Sequence, residues 1–114
     1  MAAKLVLLTG ASGFIGTRIQ NLLLKRGYHL RILTRNPGMK MSSIDCFVGD
    51  LTDAMVCWRA MENVNIVIHA AGEKRDATRF SIVNVQGTKN LLAAAVYEGV
   101  ERFVHISSVG VIGA

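Results

Sequence analysis

The 114-residue sequence predicts an α/β fold: a doubly wound parallel sheet of five strands in the order 3-2-1-4-5, with helices on both faces. Two observations predict it. Short apolar runs typical of strands buried on both faces alternate with helical segments along the chain. Directly after the first run come three glycines and an amphipathic helix. Strands that alternate with helices are joined by right-handed crossovers, and the resulting sheet is parallel.

The individual elements follow from apolar spacing and from capping residues. The first strand covers residues 5–8, and the first helix begins near Phe14. Apolar residues at three- to four-residue spacing predict the helix face that packs on the sheet, namely Ile15, Ile19, Leu22 and Leu23. The other strands are predicted at residues 29–34, 44–48, 65–69 and 102–106. Asp53 predicts the N-cap of a helix that runs to about Met61, and a longer helix covers about 80–98. Gly27 and Gly99 predict left-handed helix caps.

The three glycines have the spacing G-x-x-G-x-x-G between a strand and a helix. Gly10 allows the tight turn, Gly13 lets the backbone approach a pyrophosphate, and Gly16 lets the helix pack closely on the strand. The N–H groups and the positive dipole end of the helix would face the phosphates. Glycines also mark ordinary turns, but this context favours nucleotide binding. The remaining loop residues predicted to contact the cofactor are Ser12, Phe14 and Ile15.

Composition limits the function classes. Hydrophobic residues make up 51% and charged residues 18%, which is typical of one globular domain with a sizeable core. The net charge of +5 comes from basic residues scattered along the chain, so a solvated surface is favoured over a nucleic-acid-binding face. Aromatic residues do not alternate with the basic ones, as they would in a binder of single strands.

The two cysteines and the N-terminus indicate the compartment. Cys46 and Cys57 lack metal-ligand spacing and predict reduced thiols in a cytoplasmic protein, with no metal site. The apolar run near the N-terminus is too short for a signal peptide or a membrane span. We therefore expect neither a membrane nor a nucleic acid among the partners.

Five motifs occur in order along the chain: TGASGFIG at residues 9–16, GDLTD at 49–53, HAAG at 69–72, NVQGTKNLL at 84–92 and FVHISSVGVIG at 103–113. Together they resemble the NAD-dependent epimerase/dehydratase family, the extended or atypical short-chain dehydrogenases/reductases. The resemblance covers nearly all of residues 1–114 and implies a Rossmann-like NAD(P)-binding domain with a dinucleotide cofactor.

The resemblance implies further cofactor contacts at the ends of the later strands. Asp50 would border the adenine, with Leu51 beside it; this is favoured because Asp50 follows a parallel strand at the ligand side, and a turn residue or helix cap is the alternative. Small residues would let the backbone pass under a flat cofactor, but tight packing also explains them; they are Ala70, Ala71 and Gly72. His69 is expected to be a strand-end residue held by a hydrogen bond.

Later motifs add residues near the reaction centre. Asn84 would lie beside the active site or cap a helix. Ile106 and Ser107 would border the cofactor, although Ser107 could merely satisfy backbone groups at the strand end. Alignment of VIG with the family's VYG places Ser108 in the catalytic position and Ile112 where the family has tyrosine.

The catalytic site is incomplete within these residues. The family carries Tyr-x-x-x-Lys downstream of its serine, and neither Tyr28 nor Tyr97 begins such a motif. A serine hydroxyl needs a base to activate it. Two interpretations stay open: the cofactor-binding part of an oxidoreductase, acting on a nucleotide-sugar or another carbonyl or hydroxyl substrate, or a non-catalytic nucleotide-sensing or scaffold protein.

The cofactor is predicted from the end of the second strand. NAD-binding proteins usually place an acidic residue about 20 residues after the glycine motif, on the ribose 2′-OH. No acidic residue occurs between Gly16 and Asp45, and the strand ends instead in Thr34 and Arg35. These two could hold a 2′-phosphate, which favours NADP over NAD; an ordinary exposed arginine is the alternative.

The fifth strand predicts an association surface. The family continues with further strands and a substrate lobe, so in this chain the fifth strand is expected to be a sheet edge. Phe103, Val104 and Ile106 are apolar, and neither proline nor a central lysine discourages pairing. We therefore expect a homo-oligomer formed through this edge.

Overall fold

A computed structural model describes residues 3–106, apart from 12, 37, 39–43 and 71–82. Within them five parallel strands form one sheet in the order β3-β2-β1-β4-β5, which confirms the predicted fold and strand order. The strands are β1 (Leu5–Thr9), β2 (His29–Thr34), β3 (Asp45–Val48), β4 (Ile66–His69) and β5 (Arg102–His105). The helices are α1 (Phe14–Lys25), α2 (Ala54–Ala60) and α3 (Thr88–Glu98), and a π-helical turn (Val83–Gly87) leads into α3.

Most boundaries agree with the sequence prediction or differ from it by a single residue. The largest difference concerns the helix predicted over 80–98, whose described part begins with the π-helical turn; residues 80–82 lie outside the described part. β5 ends at His105, but the backbone N–H of Ile106 still donates to the His69 carbonyl at 2.9 Å. The predicted caps are confirmed: Asp53 accepts from the Met55 backbone N–H, and Gly27 and Gly99 have φ of 84° and 76°.

The packed face of α1 was predicted wrongly at two positions. Ile15 and Leu22 are 49% and 51% exposed. The buried residues of the helix are Gly16 and Gln20, and Ile19 and Leu23 pack beside them against the sheet. The helix approaches the strand most closely at Gly16, so the contact face is centred there. Ile15 and Leu22 both lie roughly 100–120° around the helix from Gly16, on the same flank, and turn outward.

The sheet is covered on both faces, as its continuous apolar strands require. Val6 and Leu8 of β1 point toward the core under α1, whereas Leu7 points toward the core under α2 and α3. Cys46 and Cys57 are free thiols. Among the described helices, none is long and apolar enough to cross a membrane.

Candidate functional site

The strand register brings the carboxyl ends of all five strands to one edge of the sheet. Thr9 lies opposite Leu33 on one side and His69 on the other. Thr34 lies opposite Val48, and His69 lies opposite His105. The residues that follow these strand ends therefore share that edge: Gly10, Arg35, Asp50, Ala70 and Ile106. Ligands of doubly wound sheets bind at this edge, where the strand order reverses between β1 and β4.

Each glycine of the first loop has a different physical reason. Gly10 has φ of 73°, which favours glycine. A Cβ on Gly16 would lie 2.7 Å from the Gly10 carbonyl carbon and 2.9 Å from the Ala11 Cα, and closer still to the Gly10 oxygen. A Cβ on Gly13 would meet only the Gly10 carbonyl oxygen, among the described residues, at an ordinary 3.5 Å. The fold therefore requires glycine at 10 and 16, whereas no described residue crowds position 13.

The N-terminus of α1 is suited to an anion. Gly13 occupies the N-cap, so no side chain caps the helix from this position, and the first turn holds no acidic residue. The first N–H groups of a helix have no intrahelical acceptor, and the dipole makes this end positive. The Phe14 ring is 73% exposed, and the Arg18 guanidinium lies 4.4 Å from its centroid, which adds positive charge near the same end.

The end of β2 places a hydroxyl and a guanidinium at the same edge. Thr34 Oγ1 accepts from the Asn36 backbone N–H at 3.0 Å, which leaves its own proton to donate. The Thr34 carbonyl accepts from the Gly49 N–H at 2.8 Å and so links this strand end to the turn after β3. Arg35 is exposed. Hydroxyl and guanidinium donors fit a phosphate group.

The turn after β3 is held by its own side chains and by two helices. Asp50 Oδ1 accepts from the Thr52 N–H at 3.0 Å and from the Thr52 hydroxyl at 2.9 Å, so Asp50 does act as a turn residue. Leu51 is buried, and its carbonyl accepts from Asn90 Nδ2 at 2.8 Å and from the Cys57 thiol at 3.4 Å. Hydrogen bonds therefore fix the conformation of this turn at the carboxyl edge of the sheet.

His69 joins three elements beneath the site. It is fully buried, and its ring nitrogens lie 2.7 Å from Thr9 Oγ1 and 3.0 Å from Thr88 Oγ1. Burial, with a smaller contribution from His105 stacked at 4.8 Å, lowers the pKa of His69 to about 4, so the ring is neutral at pH 7. The prediction of a strand-end residue held by hydrogen bonds is confirmed.

The described residues include most of the predicted site but not its catalytic part. Ser12, Ala71, Gly72, Ser107 and Ser108 lie outside the described residues, as does the side chain of Asn84. Gly10, Gly13, Gly16, Thr34, Arg35, Asp50, Leu51, Ala70 and Ile106 all lie along the same edge or directly beneath it. Phe14 and Ile15 lie there too, in the first turn of α1. In the part of the chain that is described, no three His, Cys, Asp or Glu side chains are grouped as metal ligands.

Sequence reasoning missed Thr9 and Asn90. Asn90 carried a usable signal, because a polar residue next to Leu91 and in register with Ala94 falls on the buried face of α3. A buried amide there must find a partner. Thr9 begins the TGASGFIG motif, but a threonine at a strand end is common, and nothing local indicated its bond to His69.

The parallel sheet, the glycine loop and the converging strand ends define a Rossmann-fold domain of the short-chain dehydrogenase/reductase type. The model of the NAD dependent epimerase/dehydratase family matches residues 6–114, and the chain belongs to this family.

Several known proteins similar to this chain are dehydrogenases or epimerases. A 3 beta-hydroxysteroid dehydrogenase/Delta 5→4-isomerase of Mycobacterium tuberculosis is 36% identical over 94% of this chain and 32% of its own length. A UDP-glucose 4-epimerase of Vibrio cholerae is 34% identical over 96% of this chain and 36% of its own length. The chain thus spans about a third of the length of the curated relatives it matches.

Solved structures similar to this chain are also short-chain dehydrogenase/reductase or epimerase proteins. The UDP-glucose 4-epimerase of Thermus thermophilus in complex with NAD is 32% identical, has a TM-score of 0.77, and matches over 87% of this chain and 36% of its own. A short-chain dehydrogenase/reductase superfamily protein of Agrobacterium tumefaciens with bound NAD is 31% identical, with a TM-score of 0.80, over 91% of this chain and 32% of its own.

Proposed function

We propose that residues 1–114 are the NAD(P)-binding domain of an epimerase/dehydratase-like oxidoreductase, with the cofactor pyrophosphate on the N-terminus of α1. The observation that carries the proposal is that no described residue crowds a side chain placed at position 13. Nothing in the described fold requires glycine there, but a close approach of the protein backbone to a pyrophosphate does. The uncapped N-terminus of α1 supports the same assignment, because it offers N–H donors and positive potential to a dianion.

The remaining contacts follow the strand ends. Asp50 and Leu51 border the adenine, and the small residues from Ala70 onward pass beneath the dinucleotide. NAD bound to similar structures supports a nicotinamide cofactor. The bound dinucleotide supplies hydride acceptance or donation, and the protein orients it. Ser108 is the proposed active-site hydroxyl, and we place the protein in the reducing cytoplasm, which is supported by the free Cys46 and Cys57.

The proposed substrate is a carbonyl or hydroxyl compound, either a nucleotide-sugar or another, since the relatives include UDP-glucose 4-epimerases and 3-beta-hydroxysteroid dehydrogenases. Calorimetric titration of the 114-residue chain with NAD⁺, NADH, NADP⁺ and NADPH tests the cofactor assignment. Saturable one-to-one binding of at least one of them is expected. No binding of any of the four to folded protein would reject the function.

We further propose that NADP(H) is preferred, through Arg35 and Thr34. NADPH is expected to bind more tightly than NADH by about 1–3 kcal/mol, the scale of a hydrogen bond to a charged group. Arg35→Ala should remove that difference and leave the affinity for NADH nearly unchanged. Arg26→Ala removes the same charge from the far end of α1 and serves as the matched control. Equal affinities for the two cofactors in the unmutated chain would contradict the proposal.

The 114-residue chain is also proposed to self-associate through the β5 edge. Among the described residues, β5 pairs with β4 alone, and Val104 on it is 38% exposed. An apolar strand edge pairs readily with a second copy. Light scattering should show a dimer or larger species that Val104→Lys dissociates to monomer. Val96→Lys on α3, where valine is 80% exposed, is the control. A monomer at micromolar concentration, or an oligomer lost only in Val96→Lys, would exclude the β5 edge.

A further inference from the structure

Two helices converge on one carbonyl group at the edge of the site. The Leu51 oxygen accepts from Asn90 Nδ2 of α3 at 2.8 Å and from the Cys57 thiol of α2 at 3.4 Å. Burial, with smaller contributions from Asp53 and Asp50, raises the pKa of the Cys57 thiol to about 11, so it stays a protonated donor. The thiol is the weaker donor of the two. Of the two side chains that donate to the Leu51 carbonyl, Asn90 is therefore the stronger donor.

The approach of α3 to this turn is unusually close. A Cβ on Gly87, one residue before α3, would lie 2.9 Å from the Leu51 Cβ. Absence of a side chain at this position lets the start of the helix lie directly on the turn. At the start of α3, the Thr88 hydroxyl also forms a hydrogen bond with the His69 ring, beneath the carboxyl end of β4. The turn after β3 and the strand end of β4 are thus fixed to one rigid element.

We propose that Asn90 is a positioning residue for the adenine end of the cofactor, acting through the Leu51 carbonyl on the turn formed by Asp50, Leu51 and Thr52. The inference rests on the proposed function, in which that turn borders the adenine. Asn90 itself is buried and contacts the turn through the Leu51 carbonyl oxygen.

Burying an amide at position 90 costs free energy that an apolar side chain would not. Its neighbours on the buried face of α3 are apolar: Leu91, Ala94 and Ala95. A leucine in its place would bury more apolar surface and need no partner. The amide instead fixes direction, since Nδ2 donates to Leu51 while Oδ1 accepts from Gln86 Nε2 at 3.1 Å. The second bond holds the amide in the orientation that aims its donor at the turn.

The orientation of Leu51 carries over to its neighbours. The Asp50 carboxylate accepts hydrogen bonds from the N–H and hydroxyl of Thr52, so residues 50 and 52 close a turn around Leu51. A rotation of the Leu51 peptide therefore displaces the Asp50 carboxylate and the turn backbone together. The effect is expected to be local to this turn, because α1, whose N-terminus carries the proposed pyrophosphate site, packs in the core on the opposite face of the sheet from Leu51 and Cys57.

The test compares Asn90→Leu with Asn65→Leu. Asn65 Oδ1 accepts from the Leu5 N–H at 2.8 Å at the opposite edge of the sheet, so this variant also loses an amide–backbone bond. Dissociation constants for NADH, AMP and NMN are measured by ligand-observed NMR, at a temperature where circular dichroism shows each protein folded. Asn90→Leu should weaken NADH and AMP by about fivefold to tenfold, the fold-change of one lost hydrogen bond, and leave NMN unchanged. Asn65→Leu should change none of the three.

Three results would overturn the inference: unchanged AMP affinity in Asn90→Leu, equal loss for AMP and NMN, or the same loss in Asn65→Leu. If Asn90→Leu does not fold, Asn90→Asp keeps the size of the side chain and removes the donor, and the same split between AMP and NMN is expected. Failure of the unmutated chain to bind NADH or AMP would reject the proposed function instead, so the two failures are distinguishable.

Discussion

Replacing Gly13 by valine is expected to abolish dinucleotide binding in a protein that remains folded. The valine side chain would extend into the space before the N-terminus of α1, where the pyrophosphate is proposed to lie. The Kd for NADH or NADPH should rise about a hundredfold or more, which corresponds to roughly 3 kcal/mol. The chain already has φ of −75° at this position, which valine adopts without strain. Calorimetry measures the affinity, and urea unfolding checks the fold.

The matched variant at the other end of the motif should fail in the opposite way. In Gly16→Ala the new methyl group would collide with backbone atoms of Gly10 and Ala11, which cannot rotate away. Overpacking of this kind costs about 3 kcal/mol of the free energy of unfolding. Gly13→Val should change that free energy by roughly 1 kcal/mol at most, because valine is a poor N-cap. Tight binding by folded Gly13→Val would contradict the assignment of the phosphate site.

The second large effect is a loss of stability in mild acid. His69 is neutral in the folded protein with a pKa of about 4, whereas an unfolded histidine has a pKa near 6.5. Between these values the unfolded chain binds a proton that the folded chain refuses, so the stabilisation is present above pH 6.5 and falls with pH down to about 4. A difference of this size is worth about 3 kcal/mol. Urea unfolding at a series of pH values measures the slope.

His69→Gln should flatten that slope, because an amide has no proton to gain in this range. It will also lower stability at pH 7, since glutamine reproduces the bonds to Thr9 and Thr88 imperfectly. His29→Gln makes the same substitution at an exposed position at the start of β2, and we expect it to keep the slope. An unchanged slope in His69→Gln would show that other groups govern acid sensitivity.

The sequence predicted the fold well because its strongest signals are local. Apolar runs of four or five residues, a cap such as Asp53 and a left-handed glycine such as Gly99 each report on their own neighbourhood. The strand order followed from the handedness of the crossovers. The glycine motif was recognised for the same reason, since its strand, turn and helix are contiguous.

The errors and omissions concern contacts between distant segments. Ile15 and Leu22 fit the apolar period of α1, but the close approach at Gly16 decides which face packs, and that approach depends on β1. The bond from Asn90 to Leu51 spans 39 residues and has no local signature beyond a polar residue on an apolar face. The partners of His69 lie in two other elements, so a hydrogen bond could be predicted but not its partners.

The position of His69 also bears on the order in which the site is assembled. The glycine loop closes within seven residues, whereas the contact between Thr9 and His69 spans 60 and the one between His69 and Thr88 a further 19. Contacts between distant segments form late because the intervening chain must first lose its freedom. During synthesis, the phosphate end can therefore exist before the ribosome has made the residues that complete the adenine end. A whole dinucleotide, which spans the phosphate end and the adenine end of the site, would bind and stabilise only chains in which β4 has already paired with β1.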